Sequence, residues 1–497
     1  MSTTEASAAA VTLGARLDRL PLGTFHRRLV LALAGMILFE WVETYSFAFV
    51  APALRTQWNL SLTDIAAVAG IASLGAFAGG ILGGRLADRA GRRRTMLVFV
   101  TVYCAATLLC VLAQNPWQLM AARFAAHFGT QGMAVVAIVV LTEFVPAAHR
   151  GRLQTYKVVI GSLGIPVAGW AGYLLVPQGS WGWRAVFALG LFGGVFAWLI
   201  RRWVPESPRW LVARGEFARA DEIVRAIERQ CGAGPAGREP TATGPGPMVS
   251  AAAGPAGSGP ADPASVHPLP GPSPALAPPR LRDLLDGAHR RTFLVVSAMW
   301  ATGLLTYSAF QTWTPTLLAE NGLALDDTLL MSAVLATAAP LGALLSAPLI
   351  DRWDRRVTQF VLGLLSALAL LLFALVQAPA AVLVLGCAVN VLFQMTVPFL
   401  QVYSAEAFPT RIRALGSGTA NALSRVVNLA APTLIAAVFT GLGYSAVFLF
   451  LAGLAVVGGV VAVTLGPRTT GLSLEATAHA EPRTPPPPRN PEHAAHD

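Results

Sequence analysis

The amino-acid sequence predicts an all-α membrane protein of twelve transmembrane helices in two pseudo-symmetric six-helix halves, with both termini cytoplasmic. Three observations carry this expectation. Charge is scarce, about twelve apolar runs are each long enough to cross a bilayer, and a set of polar landmarks recurs at one fixed offset.

The chain has 497 residues, of which 54% are hydrophobic and 12% charged, with a mean hydropathy of +0.57. Soluble domains carry about 25% charged residues, so this apolar excess calls for lipid rather than a single water-facing core. A membrane helix needs roughly 20 mostly apolar residues. That window gives six spans at about 29–53, 64–84, 95–113, 117–145, 153–177 and 183–203. Six more follow at about 292–319, 328–350, 357–377, 379–405, 413–440 and 444–466.

The formal net charge of +10 comes from arginines in short clusters between apolar runs. A continuous basic face is absent, so the pattern excludes a nucleic-acid partner and reads as membrane topology. The connections RLADRAGRRR, HRGR, DRWDRR and TRIR alternate with almost uncharged ones such as QNP and VPQGSWG, which places both termini on the cytoplasmic side. Arg16 to Arg28 lead straight into the first span with no small-residue cleavage site, so no removable leader is expected. Lys157 is the only lysine, a bias read as that of a GC-rich bacterial genome and an inner (plasma) membrane protein. Cys104, Cys110, Cys231 and Cys387 show no metal-ligand spacing, so neither metal nor cofactor is expected.

The expected organisation is a cytoplasmic segment at 1–28, a first bundle at 29–203, a cytoplasmic loop at 204–290, a second bundle at 291–466 and a tail at 467–497. Within the loop, PESPRWLVARGEFARADEIVRAIERQ reads as one amphipathic helix. The Gly, Pro, Ala and Ser stretch from Cys231 to Pro279 and the tail with its four prolines at 485–488 can bury little and read as disordered.

The repeat is quantitative. Asp88 and Asp351, Glu143 and Glu406, Pro146 and Pro409, and Arg150 and Arg413 are each 263 residues apart. Four matches at one offset point to two halves in parallel orientation.

Motifs at these landmarks carry a family resemblance. The run Gly84-Arg85-Leu86-Ala87-Asp88-Arg89-Ala90-Gly91-Arg92-Arg93-Arg94 resembles the signature loop between helices 2 and 3 of the major facilitator superfamily. Asp351-Arg352-Trp353-Asp354-Arg355-Arg356 is its echo. GWRAVF at 182–187, PESPRWL at 205–211 and the run from Glu143 to Arg152 resemble the sugar-porter and metabolite:proton-symporter branches. The resemblance covers residues 29–466. It implies alternating-access transport without ATP hydrolysis, and no enzymatic activity. It also implies a gating motif of Gly84, Asp88, Arg89, Gly91, Arg92, Glu143 and Arg150 with Asp351, Arg352, Arg356, Glu406 and Arg411, in which the acids and arginines are the charged groups. Such groups can pair across the seam between halves and close the cytoplasmic face. Arg93 and Arg94 read instead as topology signals alone.

Ionisable groups inside a span are costly and so mark function. Glu40 and Glu43 in FEWVETYSF lie three apart, on one helical face, where two carboxylates raise each other's proton affinity. Their spacing resembles the D-x-x-D pair of aromatic-acid and related symporters, with glutamates in place of aspartates. Arg123, His127 and Gln131 form one stripe in span 4, and Arg123 matches an arginine of proton-coupled relatives. His127 fits a proton relay and equally a hydrogen-bonded packing residue. Asn390, Gln394 and Gln401 in span 10, and Asn421, Arg425 and Asn428 in span 11, are expected to face a central cavity, since lipid-facing amides would be unpaired. Lys157 in span 5 reads as a counter-charge for Glu40, Glu43 or an anionic substrate, with snorkelling to the headgroups as the alternative. Tyr307 and Gln311 precede a Trp-Thr-Pro-Thr-Leu-Leu run similar to that of metabolite:proton symporters.

No G-K-[ST] core is present to hold nucleotide phosphates, since Lys157 is followed by Val158. The hydrogen-bonding groups of sugar porters are missing too: Val158, a single Gln311 and Gln401 stand where that branch has a glutamine, a Gln-Gln pair and a tryptophan. The expected function is proton-coupled symport of a small polar metabolite such as an organic acid, by a monomer. Proton-driven efflux of a drug or secondary metabolite is the alternative, and sugar uptake fits less well.

Overall fold

The computed structural model describes residues 12–13, 15–146, 149–232, 281–320, 322–346, 348–349, 353–376, 378–409 and 412–467. The stretch from 233 to 280 and the tail from 468, both read as disordered, lie outside the described residues.

Every regular element among the described residues is helical. The spans are α1 (Thr24–Trp58), α2 (Leu62–Ala90), α3 (Arg92–Leu112), α4 (Pro116–Phe144), α5 (Arg152–Gln178) and α6 (Gly182–Trp203) in the first half. The second half holds α7 (His289–Glu320), α8 (Leu325–Ser346), α9 (Arg355–Leu375), α10 (Pro379–Ser404) and α12 (Tyr444–Leu465). Between the last two, α11 is a pair, Leu415–Asn428 and Ala431–Leu442, bent by 40°. The described residues therefore hold 11 helices able to cross a membrane, or 12 with the bent pair as one.

Local chemistry sets the boundaries. Asn59 closes α1 in the left-handed region at φ 50, and Ser61 opens α2 in a reciprocal cap with Asp64. Asn115 caps α4 ahead of Pro116. Two expectations need correction here. The signature run is helical through Ala90, and only Gly91, at φ +100, breaks it. A residue with a Cβ would be strained there and would meet the Glu206 carboxylate. The loop segment is two helices, Pro208–Ala213 and Phe217–Gln230, because Gly215 turns the chain at φ +80.

Within the first half, α2 and α4 pack backbone to backbone. A Cβ on Gly75, Gly79 or Gly83 would run into the α4 backbone at Phe124, Phe128 and Gly132, the close approach that small residues permit. Gly84 has open space around it instead. The segment before α1 docks on the loop helix: Leu13, Leu17 and Leu20 join Ala220, Val224 and Ile227 in one apolar cluster. Arg16 clasps it from above, donating to Glu228 at 2.8 Å and Asp221 at 2.6 Å. Those carboxylates, Glu228 foremost, hold the Arg16 proton more tightly than usual.

The two halves meet at the end remote from the termini. There Arg55 of α1 pairs with Glu320 of α7, Trp170 of α5 donates to Thr337 of α8 at 3.0 Å, and a Cβ on Gly169 would press on Ala333 and Ala336. At the terminal end, no ion pair among the described residues crosses between halves.

Candidate functional site

Seven helices enclose a cavity of about 390 Å³ between the halves. It reaches from Phe47 and Trp313, toward the closed end, to Ile138 and Gln401, which are exposed at the terminal end. Aromatic and charged side chains share its lining. Of the residues read from the sequence, Glu40, Arg123, His127, Gln131, Lys157, Tyr307, Gln394, Gln401, Asn421, Arg425 and Asn428 all line it.

The first half supplies a buried ion pair. Arg123 Nη1 donates at 3.0 Å to both the carboxylate and the carbonyl oxygen of Glu43, with 2% and 0% of the two side chains exposed. The guanidinium also lies 5.3 Å from the Phe47 ring and 5.5 Å from the Phe187 ring, where aromatic faces favour a cation. Such a pair survives burial only because Arg123 is held on several sides.

Glu43 is turned into the first half and does not line the cavity. A Cβ on Gly190 of α6 would touch it. Glu40 faces the cavity, within electrostatic reach of Arg425 and Lys157. The expected carboxylate pair is thus divided, and each glutamate answers to cations rather than to the other. A spacing of three residues leaves about 60° between side chains on a helix, enough to separate the two environments.

Lys157 is 4% exposed; it sits in the cavity wall and does not reach out to the headgroups. Arg425 Nη1 donates to Gln131 Oε1 at 3.0 Å, joining α11 to α4 across the halves. His127, one turn from both Arg123 and Gln131, is 8% exposed, and its Nε2 meets no hydrogen-bond partner among the described residues. Asn428 accepts from Ser308 of α7 at 2.5 Å.

Two predicted lining residues lie behind the wall. Asn390 is fully buried and donates to Gly386 of its own helix at 3.3 Å. Gln311 stands one turn behind Tyr307 and donates to its hydroxyl at 3.4 Å. In both cases the helical face was set by packing of α7 and α10, which the polar pattern alone did not fix. The sequence reading missed the aromatic lining. Tyr45 and Tyr307 meet edge to face across the halves at 6.5 Å, and Phe393 stands 6.3 Å beyond Tyr307. Trp41, Trp300 and Trp313 complete the wall. The FEWVETYSF run carried Trp41 and Tyr45 in plain view beside the acids.

The charged set at the terminal end pairs within each half. Arg92 contacts Glu143 at 3.1 Å and Asp88 at 3.1 Å. In the second half Glu406 contacts Arg355 at 3.1 Å; Arg355 is the repeat counterpart of Arg92 and stands outside the expected gating set. Both contacts span 51 residues, as the repeat requires. Arg356 donates to the Gly466 carbonyl instead. Arg150 donates to Asp18 at 2.6 Å, and the Arg89 carbonyl accepts from Arg214 at 3.0 Å. Glu206 of the PESPR run, not singled out from sequence, accepts from the backbone N–H groups of Arg92, Arg93 and Ser207. Asp351, Arg352 and Arg411 lie outside the described residues.

Comparison with known proteins shows the family. The family model described as Major Facilitator Superfamily matches residues 31–421 and, again, 298–494. YyaJ of Bacillus subtilis, named for metabolite transport, is 33% identical over 464 residues, covering 91% of this chain and 95% of that protein. The Niacin transporter NiaP of Acinetobacter baylyi is 27% identical over 467 residues, covering 93% and 99%. Among solved structures, the xylose transporter XylE from E. coli in a partially occluded inward-open conformation superposes with a TM-score of 0.69. That match has 16% identity and covers 90% of this chain and 100% of that one, which shows a shared fold. The chain belongs to the Major Facilitator Superfamily and is a multi-pass membrane transporter of metabolites, not an enzyme.

Proposed function

We propose that this protein carries a small aromatic monocarboxylate together with protons across the inner (plasma) membrane, by alternating access and as a monomer. The observation that supports this most is a charge imbalance in the cavity. Arg123 is neutralised by Glu43, while Glu40 faces two cations, Lys157 and Arg425. With all three charged, one positive charge is left over in a low-dielectric site, where an uncompensated ion is costly. A substrate carboxylate is drawn to that excess, and once Glu40 takes up a proton it stands in for the lost Glu40 charge. Trp41, Tyr45, Trp300, Tyr307, Trp313 and Phe393 offer faces and edges to an aromatic ring. Niacin, the cargo in the name of one relative, is such a molecule.

Proton coupling follows from competition. The substrate carboxylate and the Glu40 carboxylate seek the same two cations. When the substrate takes them, Glu40 loses its compensation and binds a proton. Substrate and proton then enter together. The basic connections put the termini on the cytoplasmic side, so the open end of the cavity faces the cytoplasm and Arg55–Glu320 closes the outer side.

The test is uptake into proteoliposomes under an imposed pH gradient, using radiolabelled nicotinate and benzoate with xylose as control. Accumulation of the carboxylates with an accompanying proton influx supports the reading. Xylose uptake, or carboxylate entry indifferent to the pH gradient, would sink it. Movement of the carboxylates only against proton entry would assign efflux instead.

A further inference from the structure

The first half concentrates arginines on its surface at the terminal end. We propose that the corner formed by α1, α3 and α6 binds the headgroup of an anionic phospholipid, with the acyl chains lying along α6. Arg27 and Arg28 open α1, Arg93 and Arg94 open α3, and Arg201 and Arg202 close α6. Because α6 packs against both α1 and α3, the three pairs converge. Arg28 lies 5.9 Å from the Trp203 ring, and Arg93 donates to the Arg201 carbonyl at 2.5 Å. Five of the six are exposed, and Arg93 is half-buried.

No carboxylate balances this cluster. Among the described residues, none of the six makes an ion pair. Glu206, beside the Arg93 backbone, has its carboxylate engaged by three backbone N–H groups. Six guanidiniums would repel one another unless an anion joined them, and arginine matches phosphate oxygens in a planar, two-pronged way.

The occupant is specified by what lies beneath. Arg202, Trp198 and Val195 occupy one face of α6, and Trp198 and Val195 are 62% and 54% exposed. Val98, one turn below Arg94, is 52% exposed, and Leu31, one turn below Arg27, is 56% exposed. Apolar stripes descend from the charges in the direction of the acyl chains. A free phosphate ion would use only the upper part of this surface, whereas a phospholipid uses both.

The repeat supplies an internal control. Arg290, Arg291 and Arg356 stand 263 residues after Arg27, Arg28 and Arg93, but Arg94, Arg201 and Arg202 have Val357, Thr464 and Leu465 as counterparts. Arg356 also lies 3.8 Å from the Asp354 carboxylate, at the position matched by Gly91 in the first half. The scaffold is duplicated and the charge is not. Setting orientation requires positive charge at helix ends generally; it gives no reason for one corner to concentrate it.

The experiment uses full-length protein in phosphatidylcholine nanodiscs, adding phosphatidylglycerol or cardiolipin and following the thermal unfolding midpoint, with lipid retention read by native mass spectrometry. Expected is a rise in the midpoint with anionic lipid. That rise is lost by half or more in Arg201→Gln/Arg202→Gln and kept in Arg290→Gln/Arg291→Gln, which removes the same number of charges from the repeat-related corner. If the first variant does not fold, Arg201→Lys/Arg202→Lys should retain part of the rise and lose it in high salt. An equal rise in both glutamine variants, an equal rise with inorganic phosphate or sn-glycerol 3-phosphate, or a lysine variant indifferent to salt would each overturn the site.

Discussion

Arg425 of the second half donates to Gln131 of the first at 3.0 Å, and this contact crosses the space through which the substrate is proposed to pass. A cavity bridge of that kind must be remade in each transport cycle.

Replacing Arg425 by lysine keeps the charge beside Glu40 and loses the planar guanidinium that donates to Gln131. One charge-assisted hydrogen bond is worth about 1.5–3 kcal/mol. The KM for the transported carboxylate should rise roughly ten- to a hundredfold with unchanged membrane expression. An unaltered KM in proteoliposome uptake would remove Arg425 from the binding site.

The two glutamates of α1 should separate by assay. Glu43→Gln leaves Arg123 as a fully buried cation without its partner, a change that costs about 3–5 kcal/mol. A lowered unfolding temperature in detergent is expected. Glu40→Gln should leave that temperature near wild type, abolish pH-driven accumulation and preserve substrate counterflow, since exchange needs no net proton movement. Retained pH-driven accumulation would assign the coupling proton to another group.

Closure at the end remote from the termini rests partly on Arg55 and Glu320, whose side chains are 28% and 26% exposed. An exposed pair is worth about 1 kcal/mol or less, so Glu320→Gln should shift the balance between the two faces by no more than about fivefold. Cysteines placed on the cavity wall should then label faster with a membrane-impermeant maleimide from the closed side. The exchange Arg55→Glu/Glu320→Arg should return labelling toward the wild-type rate; failure to do so would argue against a gating pair.

The Asp88 side chain is 75% exposed and pairs with Arg92, while its carbonyl oxygen, kept in an alanine variant, accepts from Trp210, so Asp88→Ala should leave the amount of folded protein unchanged. Transport should nevertheless fall, because Asp88 is free to engage the other half once the terminal end closes. Wild-type flux at equal expression would refute that role.

Hydropathy and arginine spacing were enough to read the helical membrane fold and its spans, which the structure matches to within a few residues at most boundaries. The offset of 263 residues was enough to read two related halves, and the polar stripes named most of the cavity. These features are local or periodic, and each is written along a single helix. Tertiary packing decided the rest. It divided Glu40 from Glu43 by giving each a different cation, and placed Asn390 and Gln311 behind the wall. It also brought three arginine pairs, separated by long stretches of chain, to one corner. Which neighbour a side chain meets depends on how helices rotate against one another, and that rotation is set by the whole interface.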